Sequence, residues 1–514
     1  MLPPPSPAIQ KPSTPASHSP SFNLAHWATL ALLLAFALLL RFACLACKPF
    51  WSDECFSAEI ARLNWSNFAH LLWWREANMS LYYVLLRVWI HFGWSESYIR
   101  SLSVVVAAAT LPAIYWLARQ LYDQKLALLS AALLSVNAFH IRYSQEARSY
   151  TLFVLLGTLS SASLIALIRN PSRRNRVTYI ATSILAVYAH FYALLLLLVQ
   201  WCVLRYLGRP VPTVDNVQLS VALRRAWRTV GMAVLPLLIF VAKTGAGPIG
   251  WIKRPGIRDI LTFFEHLSGG VRWPLAALIA LACVAAITPL GRKLVARNQP
   301  WDTWRVQFLA AWFLGPIVLT IILSFARPVF LPRYMLFCLP PLLILAAAGM
   351  TRIRNTSMFA VSVAAMLLLS LQGIFFVYGQ DYDNERDASG AAVNFILDHS
   401  QPGDAIIFHI AATRIPYQFF LSLRPPNNSI GPEILFPHNA ATLDYRDFTG
   451  KPTADLIRQG APTHPRVWLM LMNNERDGAS DPTTRMLDEV LPQLFPGESR
   501  TQFPKVEVRL YTKK

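Results

Sequence analysis

Long apolar runs separated by short basic segments constrain the fold of this chain more than any other feature. An α-helix needs about 20 mostly apolar residues to cross the hydrocarbon core of a bilayer. Eleven runs in the sequence reach or approach that length, and 54% of the 514 residues are hydrophobic whereas only 15% are charged. This composition is too apolar for a soluble globular protein. We therefore predict a polytopic α-helical membrane protein with about eleven transmembrane helices.

The candidate spans all lie in the first three quarters of the chain. They cover residues 27–45, 99–117, 126–141, 150–167, 177–189, 191–204, 226–242, 273–290, 306–325, 334–349 and 358–378. The stretch 177–204 is either one tilted span or a hairpin that turns at His190. The run 81–92 is short and carries Arg87 and His91, so we expect it to lie as an amphipathic helix in the outer interface.

The positive charge of the chain is concentrated between the apolar runs. The formal net charge is +19, yet residues 379–514 hold 14 Lys and Arg against 17 Asp and Glu. Basic loops are the usual orientation signal of membrane proteins, so we predict no nucleic-acid partner. With the hairpin accepted, the strongly basic connections 119–125, 169–176, 205–228, 292–305 and 352–354 all fall on one face. That face is predicted to be cytoplasmic, together with the N-terminus.

Composition divides the chain into three parts. Residues 1–23 are rich in Pro and Ser and are predicted to be a disordered tail, whereas 24–378 form the membrane domain with a first outer loop at 46–98. Residues 379–514 are predicted to form an extracytoplasmic α/β domain, with helices at 385–399, 415–423 and 483–494 and strands at 405–409, 467–472 and 505–511. The six cysteines show no disulfide framework and no zinc-site spacing.

Two adjacent carboxylates, Asp53 and Glu54, follow the first span and are flanked by Trp51 and Phe56. This pair is either a solvated boundary of the helix or the floor of an active site. The predicted topology places eight of the eleven acidic residues before position 379 on the outer face, among them Asp53, Glu54 and Glu146. Since ionisable residues at membrane depth are costly, carboxylates from separate span ends that meet in one cavity would indicate function.

Basic side chains on the outer face run against the orientation rule. They are Arg142, Arg148, Lys253, Arg254, Arg258, Arg327 and Arg333. Arginine binds phosphate through two hydrogen bonds and lysine binds it as a point charge, so this set suits a lipid phosphate; ordinary anionic phospholipids would satisfy it too. Residues 142–150 can alternatively be snorkelling side chains and an aromatic belt, His190 an interfacial residue, and Arg41 a side chain that snorkels outward.

Four segments in order carry a resemblance to a known family. They are Trp51-Ser52-Asp53-Glu54, the segment from Ser80 to Trp89 (SLYYVLLRVW), the segment from Tyr143 to Tyr150 (YSQEARSY) and the segment from Arg327 to Tyr334 (RPVFLPRY). They resemble bacterial glycosyltransferases of the GT-C superfamily, family 39-like, which are relatives of protein O-mannosyltransferases and lipid A aminoarabinose transferases. The resemblance covers roughly residues 24 to 420. Many relatives have His-Pro-Pro before Leu-Tyr-Tyr, where this chain has Asn78-Met79-Ser80.

The resemblance implies a multi-pass enzyme of the bacterial inner membrane. It would move a sugar from a polyprenyl-phosphate carrier to an envelope glycan, lipid or protein outside the cytoplasm, with inversion. Asp53 would be the catalytic base, and Glu54 would be a second catalytic residue that positions the acceptor or tunes that base. The donor phosphate would be bound by Arg148 and Arg333, together with the other outer-face cations Arg142, Arg327, Lys253 and Arg254. The cavity and acceptor side would be formed by Glu146, Gln145, Tyr82, Tyr83 and His190.

Two further expectations accompany this assignment. No nucleotide or organic cofactor is implied, and a divalent cation, Mg²⁺ or Mn²⁺, is left open with Asp53 and Glu146 as its ligands. A transporter or lipid flippase for a glycolipid is the alternative from another class, because buried charges also line transport pathways. An envelope scaffold is a third reading, which gives the outer-face arginines no role.

Overall fold

The computed structural model describes residues 24–208, 216–244, 252–288, 301–379, 386–425, 431–437, 450–472, 475–476 and 479–513. The predicted disordered tail, 1–23, lies outside the described residues. Parts of the predicted basic connections 205–228 and 292–305 and of the predicted helix 385–399 also lie outside them.

The first part of the chain is helical. Its helices are α1 Leu24–Phe42, α2 Ser52–Arg62, α3 Trp65–Trp74, α4 Ser80–Trp89, α5 Glu96–Leu121, α6 Gln124–Ser135, α7 Ala138–Ser144, α8 Tyr150–Arg169, α9 Arg173–Ala189, α10 Ala193–Cys202, α11 Asn216–Thr244, α12 Ile257–Ser268, α13 Trp273–Ile287, α14 Trp301–Ala326, α15 Leu339–Met350 and α16 Thr356–Tyr378. A π-helical turn, Val203–Leu207, extends α10, and a 3₁₀ segment, Pro332–Cys338, leads into α15.

Seven helices in the described part of the chain are long and apolar enough to cross a membrane. They are α1, α5, α8, α11, α14, α16 and the combined segment Pro332–Met350, and the number rises to nine if the bent pairs α6–α7 and α12–α13 each count as one span. The chain is therefore a polytopic helical protein, but the predicted number of about eleven spans is not confirmed. Helices α9 and α10 are the remaining predicted spans, and the helix breaks between them at His190.

The run predicted as one span over 126–141 is bent by 59° between α6 and α7. Asn137 lies at the break. Its Oδ1 accepts a hydrogen bond of 2.9 Å from the backbone N–H of His140 and so caps α7, while its Nδ2 donates to the carbonyls of Leu267 and Ser268 at 3.1 and 3.0 Å. An N-cap inside an apolar run starts a new helix and directs it away from the axis of the preceding one.

Arg41 does not snorkel outward as predicted. Its side chain is completely buried, and its guanidinium donates to the carbonyls of Ser135 at 3.1 Å and Leu134 at 3.2 Å and to Nδ1 of His140 at 2.9 Å. The last carbonyls of a helix have no partner within the helix. The break after α6 exposes such carbonyls inside the protein, and Arg41 satisfies them.

Cys44 and Cys47 form a disulfide in the turn that follows α1. The sequence showed no disulfide framework, so this pairing is a correction. The residues between the two cysteines and just after them accept hydrogen bonds from Arg100, which donates to the carbonyls of Leu45, Lys48 and Pro49 at 2.9 Å. The turn is thereby joined to α5.

Residues 386–513 contain all the strands of the described chain. The strands are β1 Ala405–Phe408, β2 Glu433–Phe436, β3 Arg466–Met472, β4 Glu475–Arg476, β5 Ala479–Ser480, β6 Gly497–Phe503 and β7 Val506–Thr512, and the helices are α17 Ser389–His399, α18 Arg414–Leu423, α19 Ala454–Gly460 and α20 Pro482–Leu494. We call residues 386–513 the C-terminal region.

Five strands of this region form one mixed sheet in the order β2-β1-β3-β7-β6. Strands β2, β1 and β3 are parallel, and β7 is antiparallel to both β3 and β6. The predicted strands 405–409, 467–472 and 505–511 differ from β1, β3 and β7 by one residue at their ends. Strand β6 was not predicted, because its sequence Gly-Glu-Ser-Arg-Thr-Gln-Phe is polar and lies at the edge of the sheet.

Gly349 lies where α15 packs closely against α13, so its substitution tests that contact. A Cβ atom at this position of α15 would lie 1.7 Å from the backbone carbonyl oxygen of Ala282 in α13. Backbone cannot yield as a flexible side chain does, so Gly349→Ala should cost about 1–3 kcal/mol and lower the midpoint of thermal unfolding in detergent.

Gly231 in α11 is the matched control, because a Cβ atom there meets nothing within 4 Å. Gly231→Ala should leave the midpoint unchanged or raise it, since alanine is the better helix former. Equal midpoints for the two variants would contradict the packing of α13 on α15.

Candidate active site

A cavity of about 460 Å³ lies where α2, the α3–α4 connection and the turn before α8 meet. Its wall is completed by the turn at His190, by the end of α11 and by the segment before α15. Many of the lining side chains are aromatic or charged. The lining residues used below are Asp53, Phe56, Arg75, Glu76, Asn78, Tyr83, Arg148, His190, Tyr192, Phe240, Arg333 and Tyr334.

Asp53 lies between two guanidinium groups in this cavity. Its Oδ2 is 3.8 Å from Nη2 of Arg148 and 4.0 Å from Nη2 of Arg333, and 31% of its side chain is exposed to the cavity. Arg148 also donates from Nη1 to the backbone carbonyl of Asp53 at 3.2 Å. The carboxylate therefore holds two cations side by side while one of its edges is open to a ligand.

Glu54 points away from the cavity. Consecutive residues of an α-helix are rotated by about 100°, so the first turn of α2 directs Asp53 and Glu54 to different sides. The Glu54 side chain is completely buried and accepts hydrogen bonds from Arg100 Nε at 2.7 Å and Arg100 Nη2 at 2.6 Å. It also accepts from the backbone N–H of Ala147 at 2.9 Å. Glu54 was predicted as a catalytic residue, and its geometry is that of a structural ion pair.

Three other predicted site residues are bonded elsewhere. Tyr82 shares a hydrogen bond of 2.9 Å with Oγ of Ser103, Gln145 donates to the carbonyl of Arg41 at 2.9 Å, and Glu146 forms a buried ion pair of 3.2 Å with Arg386. None of the three lines the cavity, whereas the neighbouring Tyr83 does. Their hydrogen bonds and ion pair hold segments next to the cavity without contributing to its lining.

Four of the predicted phosphate-binding residues also lie outside the cavity lining. Arg142 is buried with its guanidinium over the ring of Tyr143, and Lys253, Arg254 and Arg327 are exposed. Of the outer-face cations predicted from sequence, only Arg148 and Arg333 line this cavity. All of these cations were predicted from their position in outer connections. That position alone does not predict which of them face the cavity and which face the surface.

His190 is a buried, uncharged member of the lining. Its ring stacks on Phe153 with a centroid separation of 5.3 Å, and Nδ1 accepts from the backbone N–H of Tyr192 at 3.2 Å. Burial, with the positive charges of Arg148 and Arg333, lowers the pKa of His190 to about 3. With Nδ1 occupied as an acceptor, the neutral ring carries its proton on Nε2, a buried atom without a hydrogen-bond partner in the described chain.

Arg75 and Glu76 line the cavity and were not predicted as site residues. Glu76 is one of the eight acids that the predicted topology places on the outer face. It precedes the Leu-Tyr-Tyr motif by five residues, and these two features were the available signal. Burial raises the pKa of Glu76 to about 7; the nearby negative charge of Asp53 adds to this rise and Arg148 opposes it. Glu76 and Asp53 are the two carboxylates in the lining of this cavity.

The ligand set suggested for a divalent cation is not assembled. Asp53 faces the cavity, but Glu146 is paired with Arg386 and lies outside the lining. Within the described ranges, no group of three or more His, Cys, Asp and Glu side chains is arranged to hold a metal ion. We therefore derive no step that passes through a metal.

An apolar groove of about 390 Å³ adjoins the cavity. It runs between α3, α4, α9 and α11, and it shares Ala77 and Phe240 with the cavity lining. The rest of its surface comes from side chains such as Trp73, Leu185 and Leu237. A charged cavity thus lies next to a groove whose lining suits hydrocarbon.

Comparison with solved structures identifies the fold. Over 95% of this chain and 99% of the other, the structure resembles ArnT from Cupriavidus metallidurans in the apo state, with 14% identity and a TM-score of 0.63. The same protein bound to undecaprenyl phosphate gives 14% identity over 94% and 98% of the two chains and a TM-score of 0.56. The archaeal oligosaccharyltransferase AglB from Archaeoglobus fulgidus, in complex with an inhibitory peptide and a dolichol-phosphate, gives 10% identity over 87% and 69%, with a TM-score of 0.50.

These likenesses show that the chain shares the fold of ArnT over most of its length. No protein-family model and no curated protein matches the sequence. At 14% identity the comparison carries the fold alone, and the assignment of a function depends on the geometry of the cavity.

The different surroundings of Asp53 and Glu54 predict effects of different size when each carboxylate is replaced by its amide. Glu54→Gln removes the short hydrogen bonds that compensate the buried Arg100, so it should destabilise the protein by about 3–5 kcal/mol. Asp53→Asn removes two longer contacts of a partly exposed carboxylate, so it should destabilise the protein less than Glu54→Gln. Thermal unfolding of the two purified variants in detergent measures the difference, and equal midpoints would contradict the structural role of Glu54.

Glu76 predicts a pH dependence of stability. The ordinary pKa of glutamate is about 4.3, and the folded protein raises it to about 7. The contribution of neutral Glu76 is therefore complete below about pH 4.3 and is lost as pH rises through about 7.

Glu76→Gln keeps the shape of the neutral side chain and removes the titration. The variant and the wild type should differ little in unfolding temperature at about pH 4, where Glu76 is mostly protonated in both the folded and the unfolded state, and the variant should unfold at a higher temperature at pH 8. A constant difference in melting temperature across this pH range would show that Glu76 does not titrate there.

Proposed function

We propose that this chain is a membrane glycosyltransferase that moves a sugar from a polyprenyl-phosphate-linked donor to an acceptor at the extracytoplasmic face, with inversion. One observation carries the proposal: the Asp53 carboxylate lies between the guanidinium groups of Arg148 and Arg333 in a cavity that adjoins an apolar groove. A carboxylate can accept a proton, and the two guanidinium groups can bind a phosphate beside it. The apolar groove suits the hydrocarbon chain of the same lipid.

The donor is positioned by charge and by shape. Arg148 and Arg333 bind the phosphate, and Arg75 lies in the same lining. The polyprenyl chain leaves the cavity past Ala77 and Phe240 into the groove. The bound lipids named for two of the similar structures, undecaprenyl phosphate and dolichol-phosphate, are of this chemical class and support the choice of donor.

In the transfer step, Asp53 accepts the proton of the acceptor hydroxyl while the hydroxyl oxygen forms a bond to the anomeric carbon. The bond from that carbon to the phosphate oxygen breaks, and its electron pair leaves on the phosphate. Arg148 and Arg333 neutralise the charge that develops there. Attack from the face opposite the phosphate inverts the anomeric centre.

His190 supplies a neutral hydrogen-bond donor to this step. Its Nε2–H is buried beside Arg148 and Arg333, and its low pKa keeps the ring uncharged across the physiological range. A neutral donor can bind a sugar hydroxyl or a phosphate oxygen without adding a third charge that would repel the two arginines. Glu76, whose pKa lies near 7, adds a carboxylate that ionises within that range.

The proposal places the site outside the cytoplasm, in the inner membrane of a bacterium. Cys47 of the Cys44–Cys47 disulfide lies six residues before Asp53 in sequence. Disulfides persist in oxidising compartments such as the periplasm, which supports an extracytoplasmic position for this turn and for the cavity. A lipid-linked donor needs no cytoplasmic nucleotide sugar. The partners proposed are the lipid donor, the surrounding lipids and a glycan, lipid or protein acceptor.

The transporter or flippase alternative gains no support from the similar structures reported above, two of which are ArnT and one an oligosaccharyltransferase. The cavity also assembles the groups that a transfer reaction needs in one place. We therefore retain a single candidate function.

The assay uses purified protein in vesicles, with polyprenyl-phosphate sugars extracted from the producing cells and the acceptor fraction of the same envelopes. Asp53→Asn should reduce transfer by about 10²–10⁴-fold, the usual contribution of general base catalysis, and should still bind undecaprenyl phosphate. Arg148→Met should weaken undecaprenyl phosphate binding as well as transfer.

Asp455→Asn is the control, because Asp455 is a highly exposed carboxylate of α19. It should change neither transfer nor lipid binding. Full transfer by Asp53→Asn would refute the catalytic assignment, and movement of the lipid across the vesicle without a new glycosidic bond would support the transporter instead.

A further inference from the structure

Two residues at the start of the C-terminal region, Arg386 and Asp387, are buried against the part of the helical domain that carries the cavity residues. Their sequence position is far from that site, and neither belongs to the motifs that resemble the GT-C enzymes. Asp387 bonds to the segment that carries Asp53, and Arg386 bonds to the segment that carries Arg148.

Asp387 binds the N-terminus of α2. The backbone N–H of Ser52 is 3.3 Å from both carboxylate oxygens, and the Ser52 hydroxyl donates to Oδ2 at 2.5 Å. The same carboxylate accepts from the backbone N–H and the hydroxyl of Ser389, at the start of α17. One negative charge thus joins the positive ends of two 11-residue helices, a favourable placement. Asp53 is the residue after Ser52.

Arg386 binds the turn that precedes α8. Its Nη2 is 3.2 Å from Oε1 of Glu146, and both side chains are at least 97% buried. Its Nη1 also lies 3.5 Å from the carbonyl of Pro49, before α2. Glu146 is two residues from Arg148, so the ion pair anchors the short turn from which Arg148 reaches Asp53.

The remaining contacts join Arg386 and Asp387 to the rest of the C-terminal region and that region to the helices. The residue after them, Ala388, donates its backbone N–H to the carbonyl of Pro504 at 3.0 Å. Phe419 of α18 stacks on Phe50, before α2, with a centroid separation of 4.7 Å. Trp94, before α5, donates from Nε1 to Oγ of Ser422 at 3.2 Å. The C-terminal region thus contacts the residues before α2 and before α5 as well as the first residue of α2.

We propose that the C-terminal region supplies Asp387 and Arg386 as positioning residues that set the separation between Asp53 and Arg148. The Glu54–Arg100 pair holds α2 and the Arg148 turn from within the helical domain, and Asp387 and Arg386 hold the same two segments from outside it. Undocking of the C-terminal region should therefore change the separation of Asp53 and Arg148, although that region contributes no residue to the cavity lining. The expected effect on the rate of transfer depends on the proposed glycosyltransferase function. The effect of docking on the positions of α2 and of the Arg148 turn does not.

The first test compares Asp387→Asn with Asp404→Asn by hydrogen–deuterium exchange of the full-length protein in detergent. Asp404 is the matched control: it is buried in the same region and accepts from Arg466 and Trp468, with no contact to α2. Asp387→Asn should speed exchange in residues 52–62 and 145–149 by about tenfold or more through local opening, and Asp404→Asn should not. Equal exchange in the two variants would overturn the proposal.

The second test uses transfer kinetics. Asp387→Asn should lower kcat about tenfold or more and leave the donor KM within about twofold, because misplacement of reacting groups affects the transition state more than the bound state. Asp404→Asn should retain wild-type kcat below its unfolding temperature. If Asp387→Asn also retains wild-type kcat, the positioning role is wrong.

A double-mutant cycle distinguishes loss of the Arg386–Glu146 ion pair from a general failure of the single variants to fold. Arg386→Gln and Glu146→Gln each leave a buried charge without its partner, whereas the combined variant leaves none. The combined variant should therefore fold better and lose less kcat than the sum of the single losses. Additive losses would refute the coupling. Absence of transfer by the wild type would refute the proposed function alone, since the exchange measurement still tests the docking.

Discussion

The buried ion pair between Arg100 and Glu54 is the interaction on which the site depends. The arginine donates to both carboxylate oxygens and also to three carbonyls of the turn before α2, while the carboxylate accepts from the backbone of Ala147. Six hydrogen bonds thus meet at two side chains with no exposure to solvent. Such a pair is stable only when nearly every polar atom is satisfied, and here the turn, α2, α5 and the loop before α8 supply the partners.

This arrangement gives two neighbouring carboxylates different tasks. Glu54 is fully compensated inside the protein, so it holds geometry and has no free edge for a ligand. Asp53, one residue earlier and about 100° around the helix, keeps 31% of its side chain open and faces two arginines at the limit of ion-pair distance. The ion pair behind the helix keeps the reactive carboxylate in place, and the C-terminal region adds a second hold through Asp387 and Arg386.

The part of the site that sequence reasoning could predict is the part defined by motif order and sidedness. Asp53, Arg148, Arg333, Tyr83 and His190 were predicted from outer span ends, and the structure places all five in one cavity. Glu54, Glu146 and Gln145 came from the same motifs but face the interior, because direction around a helix or turn is set by packing. Arg75 and Glu76 were missed, and Arg41 was misplaced, since their partners are distant in sequence.

The sequence by itself determined that the chain is a helical membrane protein, that its acids and several arginines gather at one set of span ends, and that alternating strands and helices follow. Apolar length and charge are local properties, so they can be read from neighbouring residues. Only the tertiary structure decided which carboxylate meets solvent, where the long apolar runs bend, and that residues 386 and 387 reach the site from more than 200 positions away. These outcomes depend on which distant backbone groups need a partner, and no local pattern contains that information.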